Sequence, residues 1–282
     1  MSLRIRHLAI TLVSLYLSVG CSAGITTPST STPAITSTLT VFAASSLTDA
    51  FKEVGTIFES NTGTAVVFNF GASSQLRTQL EQGAPADVFA SADTVQMERA
   101  RQAGVIAGPD QIFATNRLMV ITPATNPAAI AGPEDLGKRG IKIVSAQLDV
   151  PVGAYTQSMF EAMSRDLRFG SDFIDRANAN IVSREPNVRQ IVAKIQLGEG
   201  DAAVVYKSDI TPQAARDLAT FEIPDAFNTV AEYPIARVTN GPASDAATQF
   251  IAFVLSPEGQ AVLKRWNFLT VTPTSSESSP AQ

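Results

Sequence analysis

"TVFAASSLTDAF", residues 40–51, joins a β-rich apolar run to an amphipathic pattern through two adjacent serines, with no Lys or Arg beside them. The run before the serines reads as a buried strand. After them Leu47, Ala50, Phe51, Val54, Ile57 and Phe58 fall at helical spacing, and Asn61 to Gly63 stops the helix. The same order then repeats. "AVVFNF" (65–70) is a strand, "GASS" (71–74) a loop, and Leu76 and Leu80 belong to a helix closed by Gly83. "ADVFAS" (86–91) is a third strand, followed by a helix through Val95, Met97 and Ala100.

The pattern resumes in the second half. "IKIVSA" (141–146) leads through "QLDVPVG" into a helix starting near Ala154. "NIVS" (180–183) leads through "REPN" into "VRQIVAKIQLG", where Val188, Ile191, Val192 and Ile195 form an apolar stripe, and "AAVVY" (202–206) is a buried strand. Strands alternating with helices predict an α/β protein whose mixed, mainly parallel sheets are covered on both faces. Ligands on such sheets lie beyond the carboxyl ends of the strands. "TNRLMVITPA" (115–124) and "AEYPIARVTN" (231–240) read as crossovers between two lobes, and a last helical segment breaks near Pro257. The expected partition is residues 39–120 with 237–271 for lobe 1, and 121–236 for lobe 2.

The 282 residues are 45% hydrophobic and 17% charged, the balance of a core-forming protein. Both ends differ. Arg4 and Arg6 followed by the apolar run from Leu8 to Val19 make residues 1–20 an export signal. The lone cysteine, Cys21, follows in "LSVGC", which looks like a bacterial lipoprotein processing site; ordinary signal cleavage beside small residues is the competing reading. A charge-free stretch rich in Ser, Thr and Pro reads as a tether, so that Cys21 and tether span 21–38, and the tail 272–282 is expected to be disordered. Removing Arg4 and Arg6 takes the net charge from −5 to −7, a poor balance for nucleic acid. The single histidine, His7, leaves with the signal, so Ser–His and Cys–His catalysis and the common zinc sites are excluded.

Several small, uncharged turns remain. Ser46 with Asp49 three residues on resembles a weak capping box. Yet Ser73 and Ser74 repeat Ser45 and Ser46 at the next strand-to-helix turn. Two such turns side by side aim hydroxyls and free helix N–H groups at one point, and helix N-termini bind anions without a formal cation. Val152 follows Pro151 at another helix start, Val188 follows the cap Asn187, and Tyr206 ends a buried strand. Each alone has an ordinary structural reading. Arg189 and Lys207 flank these turns and are expected to face solvent. "GPEDLGKR" (132–139) imitates a phosphate loop but has Arg139 where Ser or Thr belongs, and acidic Glu134 and Asp135 inside the loop.

"VFAASSLTDAF", "NFGASSQL", "GAPADVFASAD", "DVPVGAY", "NVRQIVAKIQLGEGDAAVVYKSD" and "EYPIA" together resemble the substrate-binding proteins of molybdate ABC importers, of the type II periplasmic-binding fold. The resemblance implies a two-lobed clamp, no catalysis and no cofactor, with one molybdate or tungstate between the lobes. Molybdenum is then held only as its oxyanion, without a direct protein–metal bond. The implied binding residues are Ser46, Ser73, Val152, Val188 and Tyr206, with Ser45 and Ser74 as further donors. The implied partners are the importer's permease and ATPase, and the membrane through a lipid on Cys21; a monomer outside the cytoplasm is expected. Rival readings are a same-fold receptor for another oxyanion such as sulfate, an exported serine hydrolase, and a surface adhesion lipoprotein.

Overall fold

The computed structural model describes residues 37–271; the signal, Cys21, the tether as far as residue 36 and the tail from 272 lie outside the described residues. The described residues open with β1 (Ser37–Ala44), so Ser37 and Thr38, expected in the tether, already pair in a sheet. α1 (Thr48–Thr62), β2 (Thr64–Gly71), α2 (Ser73–Glu81), β3 (Val88–Ala90) and α3 (Thr94–Gln102) follow in the expected order. Then come β4 (Ile106–Asn116) and β5 (Leu118–Pro123), separated by Arg117 alone. The second half holds β6 (Ile143–Ala146), α4 (Pro151–Ser164), α5 (Phe173–Ala179), β7 (Ile181–Glu185), α6 (Val188–Gln196), β8 (Ala202–Tyr206) and β9 (Leu218–Glu222). β10 (Ala231–Val238), α7 (Ser244–Leu255), α8 (Pro257–Arg265) and β11 (Leu269–Thr270) close the chain.

The strands form two sheets, in the orders β11-β4-β10-β3-β1-β2 and β7-β6-β8-β5-β9. Both are mixed. β1 runs parallel to β2 and β3, and β6 parallel to β7 and β8. The crossover strands run antiparallel: β10 against β3 and β4, β5 against β8 and β9. The antiparallel share therefore exceeds the mainly parallel expectation, because strands passing between sheets must leave in one direction and return in the other. The chain changes sheets at Arg117 and again between β9 and β10, so residues 118–120 pair in the second sheet and 231–236 in the first.

Sequence periodicity sets what is buried. α1 turns Ala50, Phe51, Val54 and Phe58 inward, where Phe51 meets Phe68, Phe113 and Phe250 at ring-centroid distances of 5.6–6.1 Å. Truncating such a core phenylalanine to alanine costs about 3–5 kcal/mol. All four stripe residues of α6 are buried, as is every residue of β8. Pro257 begins α8, which Ser256 caps by accepting from the Gly259 N–H. The phosphate-loop imitation is a 3-10 helix over Pro133–Gly137, with Asp135 accepting from the Ala131 N–H and paired with Lys138.

Candidate functional site

The carboxyl ends of β1, β2 and β3 in one sheet and β8 in the other, with the starts of α4 and α6, surround one small cavity. Ala44, Ser45 and Ser46 line it from the first turn, Gly71, Ala72 and Ser73 from the second, and Ala92 from the loop after β3. Val150, Pro151 and Val152, then Val188 and Tyr206, line it from the other side. No residue in this lining carries a formal charge.

Neither serine turn is spent on capping. Residues Ser45–Leu47 form a 3-10 turn, α1 begins only at Thr48, and the Ser46 hydroxyl lies 3.0 Å from the Tyr233 hydroxyl. Ser73 is the first residue of α2, and its Oγ accepts from the Ala92 N–H at 2.9 Å. Across the cavity Val152 is the second residue of α4, after Pro151, and Val188 is the first of α6. N–H groups in a first helical turn have no carbonyl behind them in the helix and sit at the positive end of its dipole. The Asn187 side chain caps α6 by accepting from Gln190 N–H, and Val188, the next residue, lines the cavity. Gly153 permits the tight approach beneath α4: a Cβ there would lie 2.2 Å from the Gln147 carbonyl oxygen.

The Tyr206 hydroxyl is buried and has no hydrogen-bond partner among the described residues. Burial holds its pKa well above the ordinary phenol value, so it remains a donor. The Tyr206 N–H donates to Asp209 Oδ2 at 3.1 Å. Burial, only partly offset by Arg189, pushes the Asp209 carboxyl up to about 6. Asp93, which follows Ala92 and caps α3, is also raised by burial.

The two sides of the cavity are drawn together by polar contacts. Arg189 Nε donates to the Ser45 carbonyl at 3.1 Å, and its Nη2 pairs with Asp49 at 2.6 Å. Gln96 Nε2 donates to the Asp149 carbonyl at 3.1 Å. Arg189 thus does not face solvent as its flanking position suggested; it bridges the two halves outside the cavity lining. Lys207 stays half-exposed, 4.0 Å from Glu222.

A family model described as "Bacterial extracellular solute-binding protein" matches residues 39–269. The chain belongs to this family. Among the relatives of this solute-binding protein, the molybdate-binding protein ModA of Mycobacterium tuberculosis is 37% identical over 231 residues, spanning 82% of this chain and 84% of the relative. Among solved structures, the sulfate-binding protein SubI of M. tuberculosis superposes with a TM-score of 0.76 at 21% identity, covering 84% of this chain and 88% of SubI. The periplasmic molybdate-binding protein of Azotobacter vinelandii gives 0.72 at 20% identity, covering 83% and 100%. At those identities the two structures establish the fold alone.

Of the residues singled out in the sequence of this solute-binding protein, Ser45, Ser46, Ser73, Val152, Val188 and Tyr206 meet at the cavity. Ser74 does not. It is buried beside Ser73, but its Oγ is outside the lining and has no partner. As the second residue of a helix its side chain turns about 100° away from that of its neighbour. Sequence reasoning passed over Ala92, Tyr233 and Asn116. The small "ASA" run at the end of β3 was the available signal for Ala92.

Proposed function

We propose that this solute-binding protein captures molybdate, and tungstate with it, between the two sheets and delivers it to the membrane permease of an ABC importer. The sheets act as the two lobes of the clamp, hinged at Arg117 and at the segment joining β9 to β10. Ser46, Ser73 and Tyr206 donate hydroxyl protons, Val152 and Val188 donate main-chain N–H groups, and Ser45 offers a further hydroxyl. The metal of the guest meets only its own oxygens. The 37% identical molybdate-binding relative supports the choice of guest. One structural observation carries the reading: an uncharged cavity flanked by helix N-termini, with a buried tyrosine hydroxyl that no atom of the described residues satisfies.

The chemistry of the donors fits a fully deprotonated tetrahedral dianion. Hydrogenphosphate brings a proton that needs an acceptor, and a buried unpaired polar group costs about 1–3 kcal/mol. Sulfate matches in charge and shape, so cavity size must set it apart. Hydrolysis has little support, because the two serines are engaged by Tyr233 and by a main-chain N–H rather than by a base. Closure follows from the guest touching both lobes at once, since a ligand shifts a conformational equilibrium only through contacts that one state lacks. The reading includes acylation of Cys21, which tethers a monomeric domain at the outer face of the membrane. The test is calorimetric titration with molybdate, tungstate, sulfate and phosphate in parallel. Molybdate and tungstate are expected to bind most tightly, and tightest binding of sulfate or phosphate overturns the assignment.

A further inference from the structure

Behind Ser46 lies a hydrogen-bond chain whose direction the neighbouring groups determine. Asn116, the last residue of β4, is fully buried. Its Oδ1 accepts from the Arg117 N–H at 3.0 Å, which fixes the orientation of the amide. Its Nδ2 then faces Ser208 Oγ at 2.8 Å and the Tyr233 hydroxyl at 3.4 Å. An amide nitrogen can only donate. Tyr233 therefore accepts from Asn116, and its single proton goes to its other neighbour, Ser46 Oγ, at 3.0 Å. Burial keeps the Tyr233 hydroxyl protonated well beyond the ordinary phenol range. Ser46 accepts from Tyr233, so its own proton cannot point back along the same line and is left for the cavity. The arrangement around Ser73 has the same sense, because its Oγ already accepts from the Ala92 N–H.

We propose that Asn116 and Tyr233 are positioning residues for oxyanion selectivity: the chain from Asn116 through Tyr233 to Ser46 commits the Ser46 proton to the cavity. The site thereby favours a guest with acceptors only over one that carries a proton. This rests on the oxyanion reading above and adds two residues that do not touch the guest. The ring of Tyr233 is packed independently of its hydroxyl, against Phe113, Tyr206 and Phe268 at 5.3–6.3 Å between centroids. The hydroxyl can thus be removed with the ring left in place.

Asn116→Asp reverses the chain. Its carboxylate accepts the Tyr233 proton, Tyr233 then accepts from Ser46, and Ser46 turns lone pairs to the cavity. Affinities for molybdate and hydrogenphosphate are measured at mildly alkaline pH, where both are dianions and the added charge acts on them alike. The molybdate-to-hydrogenphosphate affinity ratio is expected to fall at least about tenfold in Asn116→Asp, the scale of one charged hydrogen bond made or lost. It is expected to stay within about twofold when Asn116→Asp is introduced into Tyr233→Phe, where no hydroxyl transmits the change. An equal fall in both backgrounds, or none in either, overturns the proposal.

Tyr233→Phe alone supplies a test by sign that holds even where the Asp variant does not fold. Molybdate affinity is expected to drop about two- to fivefold, as Ser46 loses the donor that polarises and orients it. If Ser46 instead donated to Tyr233, removing the hydroxyl would release its proton and strengthen binding. A rise or no change therefore refutes the chain. Failure of the parent protein to bind any of these oxyanions would instead count against the functional reading itself.

Discussion

Replacing Tyr206 with phenylalanine separates a binding role from a packing role. The substitution removes only Oη and leaves the ring against Tyr155 and Tyr233, at 6.3 and 5.7 Å between centroids. With the two sides drawn together as described, that oxygen is buried and has no partner among the described residues. A buried polar group in that state costs about 1–3 kcal/mol, and with the lobes apart water satisfies it, so its loss is expected to leave stability without ligand unchanged or raise it. In the proposed complex the same hydroxyl donates to a charged oxygen, a bond worth about 1.5–3 kcal/mol. Losing it corresponds to affinity about 10- to 150-fold weaker, at 1.4 kcal/mol per decade. Calorimetry with molybdate reads the second effect, and urea or thermal unfolding without ligand reads the first. Affinity within about twofold of the parent, together with a clear loss of apo stability, would falsify this account and return Tyr206 to the core.

Arg189→Met is expected to weaken molybdate binding about fivefold without touching the cavity. A bridge between groups about one-third exposed contributes roughly 1 kcal/mol after solvent screening. Small-angle scattering of the ligand-free variant is expected to show a larger radius of gyration; unchanged affinity and radius together rule the bridge out as a closing contact. Asp209 governs a pH effect. Its folded pKa of about 6 lies above the ordinary carboxyl value of 3.8, so folding favours the protonated form. Its stabilising contribution is complete below about pH 4 and is lost as pH rises through 6. The parent is thus expected to lose about 2 kcal/mol relative to Asp209→Asn on going from pH 4 to pH 8, measured by urea unfolding. Parallel stability profiles for the two proteins contradict the raised pKa.

The sequence makes the strand–helix order readable because a buried run and a 3.6-residue stripe are local patterns, each complete within about fifteen residues. "AAVVY" and "VRQIVAKIQ" needed nothing from elsewhere in the chain to declare themselves. The turns at Ser46 and Ser73 stood out only as a pair: one serine at a helix start reads as a cap, and its repetition at the next strand end is what pointed beyond capping. Sheet membership was less accessible. Residues 115–124 look like one strand, but Arg117 divides two strands that pair in different sheets, and hydropathy does not name a strand's partner. Contacts between distant residues were invisible altogether. Ser46 meets Tyr233 across 187 positions, and Arg189 meets Asp49 across 140. Tyr233 looked like a crossover residue and Arg189 like a solvated helix charge, since the residues that give them their roles lie in other elements.

The neutrality of the cavity lining bears on how a cargo leaves. A pocket built around a histidine or a carboxylate can be made repulsive by moving one proton, but this lining offers no such handle: its one titratable side chain, Tyr206, keeps its proton through any ordinary pH. Moving the pH within the ordinary range changes no charge in the lining itself. On the proposed binding mode, unloading is therefore a mechanical event, in which whatever receives the cargo must pry Ser46 and Ser73 away from Val152, Val188 and Tyr206.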